Sequence, residues 1–172
     1  MSQTVSGAAD LEGLLAEIAA GAAVRERERI APHDEIRRLA RAGAGALRVP
    51  VELGGGGVSL RELFAFVVRL ARADANVAQS LRAHYHFVEG RLAAADPAER
   101  ERWLPLVARG AIFGNATVER TTRDIFGFET TLAPAGDGTY RLNGTKYYST
   151  GSLYADHVVV AARRVERAAG DG

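Results

Sequence analysis

Four stretches of the chain carry side chains able to do chemistry. FGNATVERTTRD, residues 113–124, places Asn115, Thr117 and Glu119 on one side if it is a strand, because strand side chains alternate with period two. A carboxamide, a hydroxyl and a carboxylate on one face could grip a polar ligand; a half-buried strand facing water would carry the same pattern. GTKYYSTG, residues 144–151, holds Lys146, the one lysine of the chain, among Tyr147, Tyr148, Ser149 and Thr150. The same two readings apply, since Tyr148 and Thr150 alternate with Tyr147 and Ser149.

His84, Tyr85 and His86 form a cluster within RAHYHFVEG. On a helix His84 shares a face with Val77, Leu81 and Val88, Tyr85 flanks that stripe, and His86 points away. Imidazole suits acid–base work near neutrality, yet on an apolar face it also serves as a hydrogen-bonded core group. The i, i+2 spacing is poor for joint ligation on a helix, so no metal site is expected. The fourth stretch, PVELGGGGVSL, could cradle a phosphate, because a glycine-rich loop before a helix exposes backbone N–H groups. No strand precedes it, no Lys-Ser/Thr follows it, and counting G-x-G-x-x-G from Gly55 puts Leu60 at the last position. Its expected role is a loop that lets helices approach closely.

Composition narrows the function classes. A net charge of +1 argues against nucleic acid as a partner, and 47% apolar residues with 25% charged ones are ordinary for a soluble globular protein. The absence of cysteine excludes disulfides, thiolate metal sites and a cysteine nucleophile. No apolar run approaches the roughly 18 residues that span a bilayer, and the N-terminus lacks a basic segment followed by an apolar one. No membrane partner and a cytoplasmic location are therefore expected.

The elements that must position these residues change character partway along. From Ala8 to about Arg109 apolar residues recur at helical spacing; from Ile112 they come in short runs rich in Thr, Val and Tyr. The expectation is an α+β chain, with residues 1–111 an all-helical unit and 112–172 part of a β unit. Leu11, Leu14, Leu15, Ile18 and Ala22 stripe a first helix that runs through RERER, read as a solvated face, towards Pro32. A short helix over 34–42 can end at Gly43 or Gly45. Ser59 and Glu62 form a capping box for a helix whose apolar face is Leu60, Leu63, Phe64, Val67, Leu70 and Ala71. Helices follow over 75–94 and from Pro97, the last with Trp103, Leu106 and Val107 towards the core. Strands are expected at 112–118, 128–133, 139–143, 146–149 and 157–163, with turns at Gly136-Asp137-Gly138 and Asn143-Gly144. Five such short strands do not close a barrel.

The order of these pieces resembles the acyl-CoA dehydrogenase superfamily: P-x-E-x-G-G-x-G at residues 50–57, G-x-A-x-x-E at 114–119, and L-N-G-T-K at 142–146. The resemblance implies a helical N-terminal domain, a middle β domain and a C-terminal four-helix bundle. This chain would hold the first and part of the second, with the bundle absent from it. Details lean towards one branch. Val118 and Arg120 flank Glu119 where dehydrogenases usually have Thr and Pro, Thr122-Arg123-Asp124 stands in place of Gly-Ser-Asp, and Tyr148-Ser149-Thr150-Gly151 replaces aromatic-Ile-Thr/Ser-Asn. FGNA and KYYSTGSLYAD look like the flavin-dependent monooxygenases of the dibenzothiophene monooxygenase type and their sulfur-acquisition relatives.

That branch implies a two-component monooxygenase. It uses FMN reduced by a separate NAD(P)H:flavin reductase, forms a C4a-hydroperoxyflavin with O2, and acts on an organosulfur or aromatic small molecule. Carried over residue by residue, Asn115 and Ser149 are implied beside the flavin ring where oxygen reacts. His84 falls close to the position where that branch has a helix tyrosine touching the flavin, with Tyr85 the alternative. Ala116, Thr117, Val118, Glu119 and Arg120, and likewise Thr145, Lys146, Tyr147 and Tyr148, match flavin-contacting segments; residues 117–128 match a mobile loop that closes over the site. A homotetramer is implied for the full-length enzyme, and this chain alone is expected to be inactive. The rivals are an acyl-CoA dehydrogenase with bound FAD and, from another class, a non-catalytic truncated scaffold.

Overall fold

The computed structural model describes residues 4–120 and 127–165. Five helices come first: α1 (Thr4–Glu28), α2 (His33–Arg41), α3 (Leu60–Ala73), α4 (Ala75–Leu92) and α5 (Pro97–Ala108). Their starts follow from local chemistry. Ser59 Oγ accepts the Glu62 N–H while Glu62 Oε2 accepts the Ser59 N–H at 2.7 Å, the reciprocal capping box expected for α3. Asp74 Oδ1 accepts the N–H groups of Asn76 and Val77 at the head of α4, and Asp96 Oδ1 that of Ala98 at the head of α5. Gly43, at φ 79°, ends the turn after α2. Among the described residues no helix is long and apolar enough to cross a membrane.

Leu14, Leu15 and Ile18 of α1 meet Ile36 and Leu39 of α2, Leu63, Phe66 and Leu70 of α3, and Val77 and Leu81 of α4 in one core. A second core gathers Val49, Val88, Leu104, Val107 and Phe113 where α4 and α5 cover the first strand. Two helical expectations change. On α3, Phe66 is buried while Leu60, Phe64 and Ala71 are exposed, because that side of the helix borders an open groove. In RERER, Arg25 is not solvated: its guanidinium pairs with Glu35 at 2.7 Å and Asp74 at 2.8 Å, tying α1 to α2 and to the cap of α4.

The glycine loop is structural. Gly55, Gly56 and Gly57 give their N–H groups to the carbonyls of Pro50, Ala46 and Val49, so the loop's donors are taken within the protein. A Cβ on Gly55 would lie 2.2 Å from the Val49 carbonyl oxygen, a backbone approach that only glycine permits.

Five short strands follow: β1 (Phe113–Ala116), β2 (Thr131–Pro134), β3 (Tyr140–Asn143), β4 (His157–Val160) and β5 (Arg163–Arg164). β1 pairs in parallel with β4, Asn115 opposite Val159; β2 pairs antiparallel with β3 and parallel with β5. The first strand stops at Ala116, shorter than the sequence pattern suggested, so the alternation of Asn115, Thr117 and Glu119 does not continue. Thr117 is exposed and Glu119 buried. Residues 146–149 do not form a strand. Tyr147 makes one backbone bond, to the Val118 carbonyl at 2.7 Å, and Tyr148 then turns at φ 55°, which breaks any ladder.

Candidate functional site

The segments 115–120 and 144–151 lie side by side, held by backbone and side-chain contacts. The Asn115 N–H donates to the Thr150 carbonyl at 3.2 Å, the Tyr147 N–H donates to the Val118 carbonyl, and the Arg120 guanidinium stands 5.2 Å from the Tyr147 ring centroid. Glycine makes the first contact possible. Gly114 and Gly151 meet back to back, with Gly151 at φ 75° also pressed on the Ser80 carbonyl of α4. A Cβ on Gly151 would sit 2.4 Å from that oxygen.

Asn115 is half-buried, and its side-chain Oδ1 is buried without a hydrogen-bond partner among the described residues. A buried polar atom left alone costs about 1–3 kcal/mol, which marks the position as one that a ligand could complete. Ser149 is also half-buried; its carbonyl accepts the Ser152 N–H at 3.2 Å and hydroxyl at 2.8 Å, which fixes the turn that carries it. The wall thus offers a carboxamide and hydroxyls, groups that hydrogen-bond without being strong acids.

Lys146 and Glu119 face each other rather than the wall. Lys146 Nζ lies 2.5 Å from Glu119 Oε1 and donates to the Thr117 carbonyl at 3.2 Å, with the Phe128 ring centroid 4.4 Å away. Glu119 also accepts from the Thr130 hydroxyl at 2.6 Å and from the N–H groups of Glu129 and Thr130 at 2.7 and 3.0 Å. The Lys146 ammonium first, and then the Thr130 hydroxyl, hold its carboxyl down at about 2 despite desolvation. Beside this cluster opens a polar cleft of about 450 Å³ bordered by Arg120, Glu129, Thr131, Thr145 and Tyr147.

His84 is fully buried with both ring nitrogens engaged. Nδ1 accepts the Phe113 N–H at 3.1 Å, so Nε2 carries the proton and donates to the Gly45 carbonyl at 3.0 Å. Burial holds this imidazole below its usual pKa, although the Gly45 bond pulls the other way. The ring pins β1 to the 3-10 turn Ala44–Ala46. Tyr85 is buried, donates to the Ala44 carbonyl at 3.3 Å, and has its phenol pKa raised by desolvation; it lines the groove between α3 and α4. Of the sequence candidates, then, Asn115, Ala116, Thr117, Val118, Glu119, Arg120, Thr145, Lys146, Tyr147, Tyr148 and Ser149 come together, whereas His84 and Tyr85 lie beneath them in α4. The part of the 117–128 loop at 121–126 falls outside the described residues.

Three contributors carry almost no signal of their own in the sequence, although Asp156 closes the KYYSTGSLYAD stretch. Thr130 is buried under Glu119. Asp156 Oδ2 accepts the Ile112 N–H at 2.8 Å while Arg37 reaches both its oxygens at 3.0 Å. Burial opposes ionisation of Asp156, but these bonds outweigh it and keep its pKa low. Arg82 donates to Thr150 Oγ1 at 3.4 Å; the one signal for it was a lone cation between apolar helix positions. No cluster of metal-ligating side chains occurs among the described residues.

Residues 12–111 match the family described as acyl-CoA dehydrogenase, N-terminal domain. The chain belongs to the acyl-CoA dehydrogenase family. Its relatives divide between two chemistries. The structure of FMN-bound TdsC from Paenibacillus sp. A11-2, a dibenzothiophene monooxygenase, superposes with a TM-score of 0.81 at 29% identity over 97% of this chain and 42% of that one. The amino sugar nitrososynthase RubN8 of Streptomyces rubradiris is 35% identical over 89% of this chain and 37% of its own length. The putative acyl-CoA dehydrogenase YdbM of Bacillus subtilis is 32% identical over 76% of this chain and 35% of its own. The chain thus spans about 40% of the length of such acyl-CoA dehydrogenase relatives, a superfamily of flavin-dependent oxidoreductases.

Proposed function

We propose that this chain builds one wall of the flavin site of a two-component monooxygenase. The enzyme takes reduced FMN from a separate NAD(P)H:flavin reductase, uses O2, and oxygenates an organosulfur or aromatic small molecule. The observation that carries the reading is the buried, unpartnered Oδ1 of Asn115 beside the Ser149–Thr150 turn. A flavin fits that wall, because its ring system presents both hydrogen-bond donors and acceptors to a carboxamide and a hydroxyl. The proposed contacts are Asn115 and Ser149 at the reacting edge, with the backbone of Ala116, Thr117 and Val118 and the side chains of Arg120, Thr145, Tyr147 and Tyr148 around it. When bound and reduced, a flavin activates O2 for transfer of one oxygen to a soft nucleophile.

The chain's own residues contribute three things to this. Asn115 supplies a fixed hydrogen-bonding group whose desolvation is already met in the folded state. Ser149 adds a hydroxyl on a turn held by Ser152. Lys146 and Glu119 brace the two halves of the wall and keep their charges on each other, so neither ammonium nor free carboxylic acid is presented to the reacting edge. Residues 1–111 form the helical support and 112–172 part of the β unit in this proposal.

The likeness to RubN8 favours a second acceptor, an amine nitrogen in place of sulfur. The likeness to YdbM supports an FAD-linked dehydrogenase, against which stands the sequence VERTTRD at 118–124. Titration of the chain with FMN and FAD, followed by flavin fluorescence, tests the core of the proposal. Saturable FMN binding that weakens on Asn115→Leu and Ser149→Ala is expected; FAD bound in preference, or no saturable binding of either flavin oxidised or reduced, would refute it.

A further inference from the structure

Strand β1 has two edges, and alternate residues face each. Towards β4, the Ile112 carbonyl accepts the His157 N–H at 3.2 Å and the Ala116 carbonyl that of Ala161 at 3.1 Å, while the Ile112 N–H goes to Asp156 Oδ2. Phe113 and Asn115 face the other edge, where the Asn115 N–H donates to the Thr150 carbonyl. A further strand on that edge would set a carbonyl against the Phe113 N–H; α4 sets the His84 ring there instead, with Nδ1 at 3.1 Å. The ring is fully buried and is itself held. Its Nε2 donates to the Gly45 carbonyl at 3.0 Å, and the adjacent Tyr85 hydroxyl donates to the Ala44 carbonyl at 3.3 Å. A Cβ on Gly45 would stand 2.8 Å from Nε2, so glycine lets the turn come this close. One side chain thereby joins α4, the turn Ala44–Ala46 and β1.

We infer that His84 is a positioning residue for the candidate site: by accepting the Phe113 N–H it holds β1 where the Asn115 carboxamide is set beside the Ser149–Thr150 turn. The functional meaning rests on the flavin wall proposed above, which this imidazole would hold in shape without touching the ligand. A buried N–H is not left without an acceptor, so removing Nδ1 obliges β1 to shift until the Phe113 N–H finds another. The shift reaches Asn115 directly, because one strand carries both residues. Its bond to the Thr150 carbonyl stands at 3.2 Å, already past the usual optimum of about 2.9 Å. Between the two lies Gly114, which abuts the turn so closely that a Cβ would lie 2.7 Å from the Ser152 Cα, so movement of β1 disturbs both halves of the wall.

Two amide substitutions separate the bonds of the ring. Asparagine carries an amide oxygen about where Nδ1 stands, and glutamine an amide nitrogen about where Nε2 stands, so His84→Asn keeps the Phe113 bond and His84→Gln the Gly45 bond. Both variants should melt below wild type by similar amounts. FMN affinity should divide them: within about threefold of wild type for His84→Asn, and weakened about tenfold for His84→Gln, the worth of one buried hydrogen bond. Hydrogen exchange read by NMR follows the strand itself. The Asn115 amide should exchange about tenfold faster in His84→Gln than in His84→Asn, while the Leu70 amide of α3 does not separate them. A merely structural histidine requires FMN affinity and Asn115 exchange to follow the melting temperature in both variants. That result, or wild-type affinity in His84→Gln, overturns the inference. The wild-type ring gives a check that needs no variant: nitrogen NMR should show Nε2 protonated and Nδ1 bare, and a protonated Nδ1 overturns the inference as well. If wild type binds no flavin, the flavin proposal falls and Asn115 exchange alone decides the positioning role. Equal exchange and equal FMN affinity in the two variants remove this inference alone.

Discussion

Glu119 and Lys146, 27 residues apart, meet at 2.5 Å with their side chains 3% and 7% exposed, and around them close three segments of otherwise irregular chain. Ladder bonds between residues 117–120 and 144–149 are few, so this pair with Thr130 does what a strand pairing would otherwise do.

Acid should therefore loosen this corner in a defined window. The folded Glu119 holds its carboxyl at about 2, below the ordinary 4.5, so the unfolded chain binds the proton first. The stabilisation is complete above pH 4.5 and is lost as pH falls from there towards 2. Urea midpoints measured across that range should drop more steeply for wild type than for Glu119→Gln, which starts lower at pH 7. Parallel curves would show that the carboxylate gains nothing from its partners.

Lys146→Met should cost more stability than Glu119→Gln, because it leaves a desolvated carboxylate without its cation, whereas the amide of Gln can still accept from Thr130. The double variant should recover part of the loss. Thermal midpoints of the four proteins make the cycle, and strict additivity would mean that the two groups do not act on each other.

His84 is expected to be a structural imidazole with its own pH signature. Its pKa is depressed by burial from the ordinary 6.5, so the unfolded state takes up a proton that the fold refuses. Stability should fall as pH drops below 6.5. His84→Leu, which strands the Phe113 N–H and the Gly45 carbonyl, should cost about 2–4 kcal/mol at pH 7.5 and remove that component of the slope. An imidazole titrating near its ordinary pKa in NMR spectra would contradict this assignment and reopen a catalytic role.

The helical half was legible because its signals are local. Ser59, Asp74 and Asp96 cap within three residues, and the stripe of Leu14, Leu15 and Ile18 needs no distant partner to be recognised. The α3 face was misread at Leu60 and Phe64, since spacing tells which residues share a side but not whether anything covers it. The two segments of the candidate wall could be named from FGNA and YYST, yet their geometry could not. Tyr148 turns to positive φ where period two suggested a strand, and the partner that holds Glu119 stands 27 residues away. Arg82, Thr130 and Asp156 gained their roles from tertiary contacts alone.

Two glycines of similar appearance should respond oppositely to alanine. Gly55 has φ outside the left-handed region, but a Cβ there meets the Val49 carbonyl at 2.2 Å, and backbone cannot give way as a side chain can. Gly55→Ala should destabilise by about 2 kcal/mol or more. Gly90, inside α4 with nothing within 4 Å of where a Cβ would stand, should gain up to about 1 kcal/mol from Gly90→Ala through helix propensity. Chemical denaturation of both variants checks the pair, and equal effects would show that local space does not decide them.

Asn115 separates stability from function most directly. Its Oδ1 is buried and unpartnered, so the folded chain bears a desolvation cost that nothing among the described residues offsets. Asn115→Leu, close in volume and free of polar atoms, should leave the urea midpoint unchanged or raise stability by up to about 1 kcal/mol. If the carboxamide is kept for a flavin, the same substitution should weaken FMN binding by about tenfold or more, the worth of one desolvated hydrogen bond. Asn115→Asp provides the opposite control, since a carboxylate at that buried position should lower stability above its pKa and less so in acid. A leucine variant that is clearly destabilised, with FMN affinity intact, would mean that the carboxamide serves the fold and that the ligand-facing reading of this wall is wrong.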